Sequence, residues 1–264
     1  MTESSQLYSF ITTADGSPSV RILERGPALG GALDTTSSGE AMHSLKGAFS
    51  ETVYIYGTAI DHAMKLPSPL AVLSMGLGLG YVELLAAGLA LKAGRENELR
   101  IESFEILKEL RSWFVGWLQG SNGVRPKVPP EVPSDVPLGF ATSYAQILEL
   151  TARETGVSAE SIRGLLLRMQ ESGRWQVRAA LTSKTVFDHK FSCICFDAFS
   201  SKSSPELWSE DFLRDFLAKS ASEHAVLSTY ACTGKLKRAL VEAGFTLQIR
   251  LGFASKRDST FASR

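Results

Sequence analysis

Residues 70–91 constrain this chain more than any other stretch. They are apolar over about the 20 residues that a membrane-spanning helix needs, with Glu83 the only charge. Yet Gly76, Gly78 and Gly80 alternate through the middle, and a continuous helix has no use for three such breaks. A buried strand from Leu70 to Met75, a tight glycine turn and a following helix account for both features. A glycine turn between strand and helix lets a ligand approach the backbone with no Cβ in the way, at a point where helix amides face it. A hydrophobic content of 44% with 21% charged residues excludes global disorder. Residues 1–9 are polar and lack a basic start, so no signal peptide is expected.

From Leu70 onward, short apolar runs alternate with helical stretches. Leu99 to Phe104, Val177 to Leu181, Ser192 to Phe196 and Ala225 to Tyr230 are further strand candidates, which predicts an α/β fold with a parallel sheet covered on both faces. Tyr144 to Thr155 and Ala159 to Glu171 carry leucines and isoleucines at helical spacing, with Ser158 as the N-cap of the second and Ser161 as a weaker competitor. Pro126 to Pro137 holds five of the ten prolines and reads as a loop. A closing hairpin is expected over Thr246 to Leu251 and Ser255 to Phe261. Before residue 70 two extended runs, Leu7 to Thr13 and Ser19 to Leu23, flank an Asp15-Gly16 turn, and the aromatic run Val53 to Tyr56 follows. The expected division is a β-rich extension over 1–66 and a Rossmann-like domain over 67–264.

Two motifs carry chemistry. The first is the turn Gly76-Leu77-Gly78-Leu79-Gly80 with Glu105, 25 residues beyond Gly80 at the end of the next strand, where a carboxylate can bind two ribose hydroxyls. The spacing GxGxG, rather than the GxGxxG of dinucleotide folds, leans toward S-adenosylmethionine over a nicotinamide cofactor. The second is Asp197, directly after the apolar strand ending at Phe196, where doubly wound sheets bind ligands. A plain glycine turn and a helix-capping aspartate are the bland alternatives.

Three longer stretches carry a family resemblance: DAFSSKSSPELWSEDFL from Asp197, LSTYACTGKLKRALVEAGF from Leu227, and GFASKRDSTFA from Gly252. With the ADGS turn and GEAMHSLKGAFSET near the N-terminus, they resemble the methyltransferase domain of the MnmC family. The resemblance implies a Rossmann-like class I methyltransferase fold with a C-terminal β-hairpin and S-adenosyl-L-methionine as cofactor. The acceptor it implies is the amine of 5-aminomethyl-2-thiouridine at the tRNA wobble position. It also implies a cytoplasmic, stand-alone form without the flavin-dependent oxidase domain of bifunctional members. Its partners would be tRNA and the enzyme that supplies the aminomethyl-uridine intermediate, with no membrane. By position in the motifs, Glu51, Ser74, Gly76, Gly78, Gly80 and Glu105 would bind the cofactor. Asp197 would be catalytic, Phe199 would wall the acceptor pocket, and Lys202 would meet phosphate or the pyrimidine edge. The family's cofactor strand reads E-L-G-F-G-T-G-L-N, so its acid is here Ser74, and its Gly-Asp before the acceptor strand has no clear counterpart near Thr182-Ser183-Lys184. A catalytically degenerate RNA- or partner-binding module and a methyltransferase for another small amine are the rival readings.

The 28 basic and 28 acidic residues cancel, which excludes a uniformly basic nucleic-acid coat but not a basic face. Residues 230–264 hold seven lysines and arginines against Glu242 and Asp258. Lys235, Lys237, Lys256 and Arg257 are expected to form a phosphate-contacting rim beside the acceptor pocket. Four scattered histidines and the strand neighbours Cys193 and Cys195 predict no metal site. Trp113 and Trp117, four apart on a helix, read as core, and His43 as a packing residue.

Overall fold

The computed structural model describes residues 8–23, 41–67, 69–120, 136–198, 204–255 and 258–264. Phe199, Lys202, Lys256, Arg257 and nearly all of the proline-rich segment lie outside the described residues. The antiparallel strands β1 (Tyr8–Thr12) and β2 (Pro18–Ile22) form the hairpin expected around Asp15-Gly16. Its turn caps a helix 35 residues downstream. Thr13 Oγ1, Ser17 Oγ and Asp15 Oδ2 accept the amides of Ala48, Phe49 and Ser50 at 3.1, 2.9 and 2.9 Å. These amides open α1 (Ala48–Thr52) and have no partner within the helix itself.

The aromatic run Val53 to Tyr56 is not part of a β-rich segment. It continues α1 as a π-helical turn, Val53–Gly57, which leads into α2 (Thr58–Ala63). Ile55, Tyr56, Ala59, Ile60 and Ala63 are all buried, so the β-forming residues Val53 to Tyr56 are helical because the helix has a core face to bury.

The remaining elements follow the expected alternation. They are β3 (Ala71–Met75), α3 (Tyr81–Ala93), β4 (Arg100–Phe104), α4 (Lys108–Gln119), α5 (Leu138–Thr155), α6 (Ala159–Glu171) and β5 (Trp175–Arg178). After them come β6 (Phe191–Phe196), α7 (Glu210–Ser220), β7 (Ala221–Thr229), α8 (Gly234–Glu242), β8 (Thr246–Leu251) and β9 (Asp258–Ser263). Ser158 caps α6, its Oγ accepting the Ser161 amide at 3.1 Å. Several bounds differ from the sequence reading, β7 beginning four residues before Ala225 and β9 three residues after Ser255. Helix α5 begins six residues before Tyr144. Strand β5 begins at Trp175, whose indole N–H donates to the Ser103 hydroxyl at 3.0 Å, which leaves Ala179 to Leu181 as a loop at the sheet's carboxyl end.

The sheet runs β5-β4-β3-β6-β7-β9-β8, with the first five strands parallel and β9 antiparallel to both neighbours. Side chains alternate across it as strand geometry requires. Val72, Ile101, Cys193, Cys195 and Val226 join the core shared with the N-terminal segment and α2 to α6. Leu73, Met75, Ile194, Phe196 and Leu227 pack with α7 and α8. The direction of strand addition reverses between β3 and β6, and a doubly wound sheet opens its ligand crevice at the carboxyl end of such a switch point. No helix among the described residues is long and apolar enough to cross a membrane; residues 70–91 divide into strand, turn and helix.

Candidate active site

At that switch point the chain leaves β3 through the glycine turn. The amides of Gly76 and Leu77 donate to the Phe104 carbonyl at 2.9 and 3.0 Å, which pins the turn to the end of β4. Gly78 has φ of +50°, and a Cβ there would meet only the Met42 sulfur, at 3.7 Å, across an open cavity. Gly80 serves a different purpose. A Cβ on it would lie 2.2 Å from the Phe114 ring, so Gly80 lets α3 pack against α4 and does not line the cavity.

The cavity measures about 190 Å³. Gly76, Gly78, Glu105 and Asp197 line it from the sheet side, and Glu51 and Tyr56 from the N-terminal helices. Glu105 is buried, with Oε2 accepting the Gly78 amide at 3.0 Å and Oε1 the Leu107 amide at 2.9 Å. Burial pushes its carboxyl pKa up, while those amides and the Arg111 guanidinium pull the other way. Glu105, Gly76 and Asp197 also border a neighbouring apolar slot of about 110 Å³ between Phe104, Ile106, Ala180 and Leu181. No carboxylate comes to this slot from Thr182-Ser183-Lys184; Glu206 lines it from the other side.

Asp197 follows β6, and its amide donates to the Met75 carbonyl at 3.1 Å. The Tyr56 hydroxyl, on the π-helical turn, donates to Asp197 Oδ1 at 2.6 Å. Burial, and then the Asp197 charge, raise the Tyr56 pKa well above the ordinary phenol value, so this hydroxyl stays a donor. Tyr230, after β7, completes the wall and donates to the Ala198 carbonyl at 2.7 Å. Glu51 Oε2 accepts the Ser44 amide at 2.8 Å, tying it to the stretch Ala41 to Ser44 that lines the cavity.

Of the residues expected to hold a cofactor, Glu51, Gly76, Gly78 and Glu105 therefore border one cavity with Asp197. Ser74 does not. It is fully buried and shares the sheet face of Val72, turned toward α3 and away from the opening. Beside it stands Glu83 from the first turn of α3, also fully buried, whose Oε1 accepts the Ser103 hydroxyl at 2.7 Å. Desolvation lifts the Glu83 pKa to about 7 against the pull of Ser103 and Ser74. Position 74 carries no acid, and the carboxylate in that layer is the one that α3 supplies. Lys235 and Lys237 are exposed on α8; Lys235 helps lower the Glu210 carboxyl, whereas Lys237 reaches toward the C-terminal hairpin. Tyr56 and Tyr230 were missed from sequence. For Tyr56 the signal was present, since residues 52, 56, 59 and 60 form one face once 53–56 is read as helix.

Residues 175–264 match the model of a family described as S-adenosyl-L-methionine-dependent methyltransferase. Among known proteins, the bifunctional tRNA 5-methylaminomethyl-2-thiouridine biosynthesis protein MnmC of Aeromonas hydrophila is 40% identical over 68 residues, 26% of this chain and 10% of that protein. Its counterpart in Burkholderia multivorans is 48% identical over 61 residues, 23% of this chain and 9% of the relative. The matched stretch thus spans about a tenth of the length of these relatives. The crystal structure of MNMC2 from Aquifex aeolicus superposes with a TM-score of 0.60 at 23% identity, covering 97% of this chain and 70% of that one. Residues 175–264 thus match an S-adenosyl-L-methionine-dependent methyltransferase family, 61 to 68 residues of the chain are similar to MnmC proteins, and the Rossmann-like fold is shared with a solved MnmC2 over nearly the whole chain.

Proposed function

We propose that this protein is an S-adenosyl-L-methionine-dependent methyltransferase acting on the primary amine of 5-aminomethyl-2-thiouridine at the tRNA wobble position. The observation that carries the reading is the meeting of Gly78, Glu105 and Asp197 on one cavity at the switch point of the sheet. The residues present suit an adenosyl group. Gly78 leaves a cradle that any Cβ would intrude upon, and each Glu105 oxygen that accepts one amide keeps a lone pair for a ribose hydroxyl. The apolar slot beside Glu105 has the character of a base pocket. When bound, the cofactor supplies an electrophilic methyl group.

The protein's own work is mostly positioning. Tyr56 holds Asp197 Oδ1 and so fixes the carboxylate at the cavity wall. Asp197 accepts a hydrogen bond from that amine, holding its lone pair in line with the methyl group. Transfer would form the N–C bond as the donor's S–CH3 bond breaks, with a neutral thioether as the leaving group; Asp197 would take the surplus proton of the cationic nitrogen and pass it to water. Phe199 and Lys202 are proposed as the pocket wall and a phosphate or pyrimidine contact, and Lys235, Lys237, Lys256 and Arg257 as substrate contacts. Relatives named for tRNA biosynthesis support the acceptor, and the Asp197 motif supports the site.

A second reading, a module that keeps the fold without activity, is favoured by Ser74 in the family's acidic position and by the slot's lack of a carboxylate from residues 182–184. Calorimetric titration with S-adenosylmethionine separates the two. Wild type is expected to bind. Gly78→Val abolishes binding by filling the cradle at a positive φ, and Glu105→Ala weakens it by about 1.5–3 kcal/mol or more through the lost charge-assisted hydrogen bonds. No binding by wild type at millimolar cofactor would favour the inactive module.

A further inference from the structure

Tyr230 lines the Asp197 cavity, and Cys232, two residues on, lines another, of about 220 Å³, between α8 and the β8–β9 hairpin. Two residues of chain reach at most about 7 Å, so the cavities are neighbours on the same rim of the sheet. Lys237, Gln248, Arg250 and Asp258 supply the polar side of the second cavity.

One of its cations is built in. The Arg250 guanidinium lies 4.1 Å from the Tyr54 ring centroid and 5.6 Å from that of Phe261. It also donates to the Ile55 carbonyl and Ser228 Oγ, both at 3.4 Å. The Tyr54 hydroxyl donates to the Leu251 carbonyl at 2.9 Å. The π-helical turn that holds Asp197 through Tyr56 therefore also fixes Arg250 through Tyr54. Lys237 is exposed and makes no ion pair among the described residues.

Other cations of the C-terminal region are committed elsewhere. Arg238 pairs with Glu210 at 2.7 Å, and Arg264 donates to the Ser222 and Ala221 carbonyls at 2.8 and 2.9 Å. Lys237 and Arg250 against Asp258 leave the cavity with a surplus of one positive charge. That balances a phosphodiester, which carries a single negative charge, better than a terminal phosphate at roughly −1.5 to −2.

We propose that this cavity is a phosphodiester subsite, seating the RNA backbone beside the nucleotide that enters the Asp197 cavity. This rests on the reading of the substrate as an RNA. Such a contact holds the strand in register without reading sequence.

The test is the affinity of an anticodon stem-loop RNA with unmodified wobble uridine, measured by fluorescence anisotropy across a salt series. Lys237→Gln is expected to weaken binding about five-fold and to lower the salt slope by about 0.7, the value for one phosphate contact on a single strand. Asp258→Asn, which removes the opposing charge, is expected to tighten binding by a similar factor. Titration with S-adenosylmethionine serves as the folding control and is expected to match wild type in both variants. If wild type binds the RNA and neither variant changes affinity or slope, the subsite is overturned while the RNA reading stands. If wild type does not bind the RNA, both fall. If Lys237→Gln weakens the binding of inorganic phosphate, read by calorimetry, while leaving RNA affinity and salt slope unchanged, the cavity holds free phosphate, and the diester assignment is wrong.

Discussion

Asp197 acts in company. A carboxylate on the rim of an open cavity has two oxygens free to rotate, and either could face the incoming amine. Tyr56 removes that freedom with a 2.6 Å bond from a buried hydroxyl whose own ionisation is suppressed. Tyr56→Phe deletes the donor and keeps the ring. The kcat for methyl transfer is then expected to fall about ten- to a hundred-fold, the equivalent of a charge-assisted bond of about 1.5–3 kcal/mol, with cofactor affinity unchanged. A wild-type kcat would reduce Tyr56 to a packing residue. Glu105 has a comparable double task, holding the Gly78 amide while facing two cavities.

The N-terminal hairpin and α1 form one unit although a long segment separates them. Three turn side chains satisfy three amides at the start of α1, and Gly47 at the junction has no room for a side chain, since a Cβ would fall 2.7 Å from Asp15 Oδ2. Burial resists the charge on Asp15, yet bonds from Ser17, Ser50 and Thr13 outweigh it and hold its pKa below the usual carboxylate range. Asp15→Ala is expected to cost about 1 kcal/mol, the usual worth of a lost cap, read as a lower Tm. The depressed pKa fixes the sign of the pH dependence. The Asp15 contribution is present above about pH 4 and fades as pH falls toward the folded pKa, so the gap in Tm between wild type and Asp15→Ala should close in acid. A gap that stays constant down to acid pH would mean the carboxylate charge is not what stabilises α1. The hairpin was legible because Asp-Gly between extended runs is a local signal. The helical state of Val53 to Tyr56 was not, because those residues favour strands on their own and the sheet beneath them decides otherwise.

At the scale of the whole molecule, the parallel sheet and its glycine turn were legible because short apolar runs, spaced by helices, admit few alternatives. The sorting of charge was not. A sequence counts seven cations after residue 229, but only the packing shows that Arg238 and Arg264 are committed while Lys237 faces a cavity. Nor does sequence reveal that Glu83 brings a carboxylate beside Ser74, between β3 and α3. Trp175 donates to Ser103 and Ser103 to Glu83, so this carboxylate ties β5, β4 and α3 together beneath the glycine turn. Both core faces of the sheet meet at β3, so the stability of the entire fold should register its ionisation. The Glu83 pKa rises from 4.5 to about 7, through desolvation and, secondarily, the nearby Glu105 charge. An acid raised on folding contributes stability that is complete below its unfolded pKa and is lost as pH climbs through the folded value. Wild type should therefore lose stability between about pH 4.5 and pH 7, by up to about 3 kcal/mol from this group. Glu83→Gln keeps the amide oxygen for Ser103 and cannot ionise. Denaturant unfolding across that range should show wild type falling relative to Glu83→Gln and the difference levelling off above neutrality. Parallel curves for the two proteins would mean that Glu83 is ionised at no cost, and that water reaches the layer under the cofactor turn.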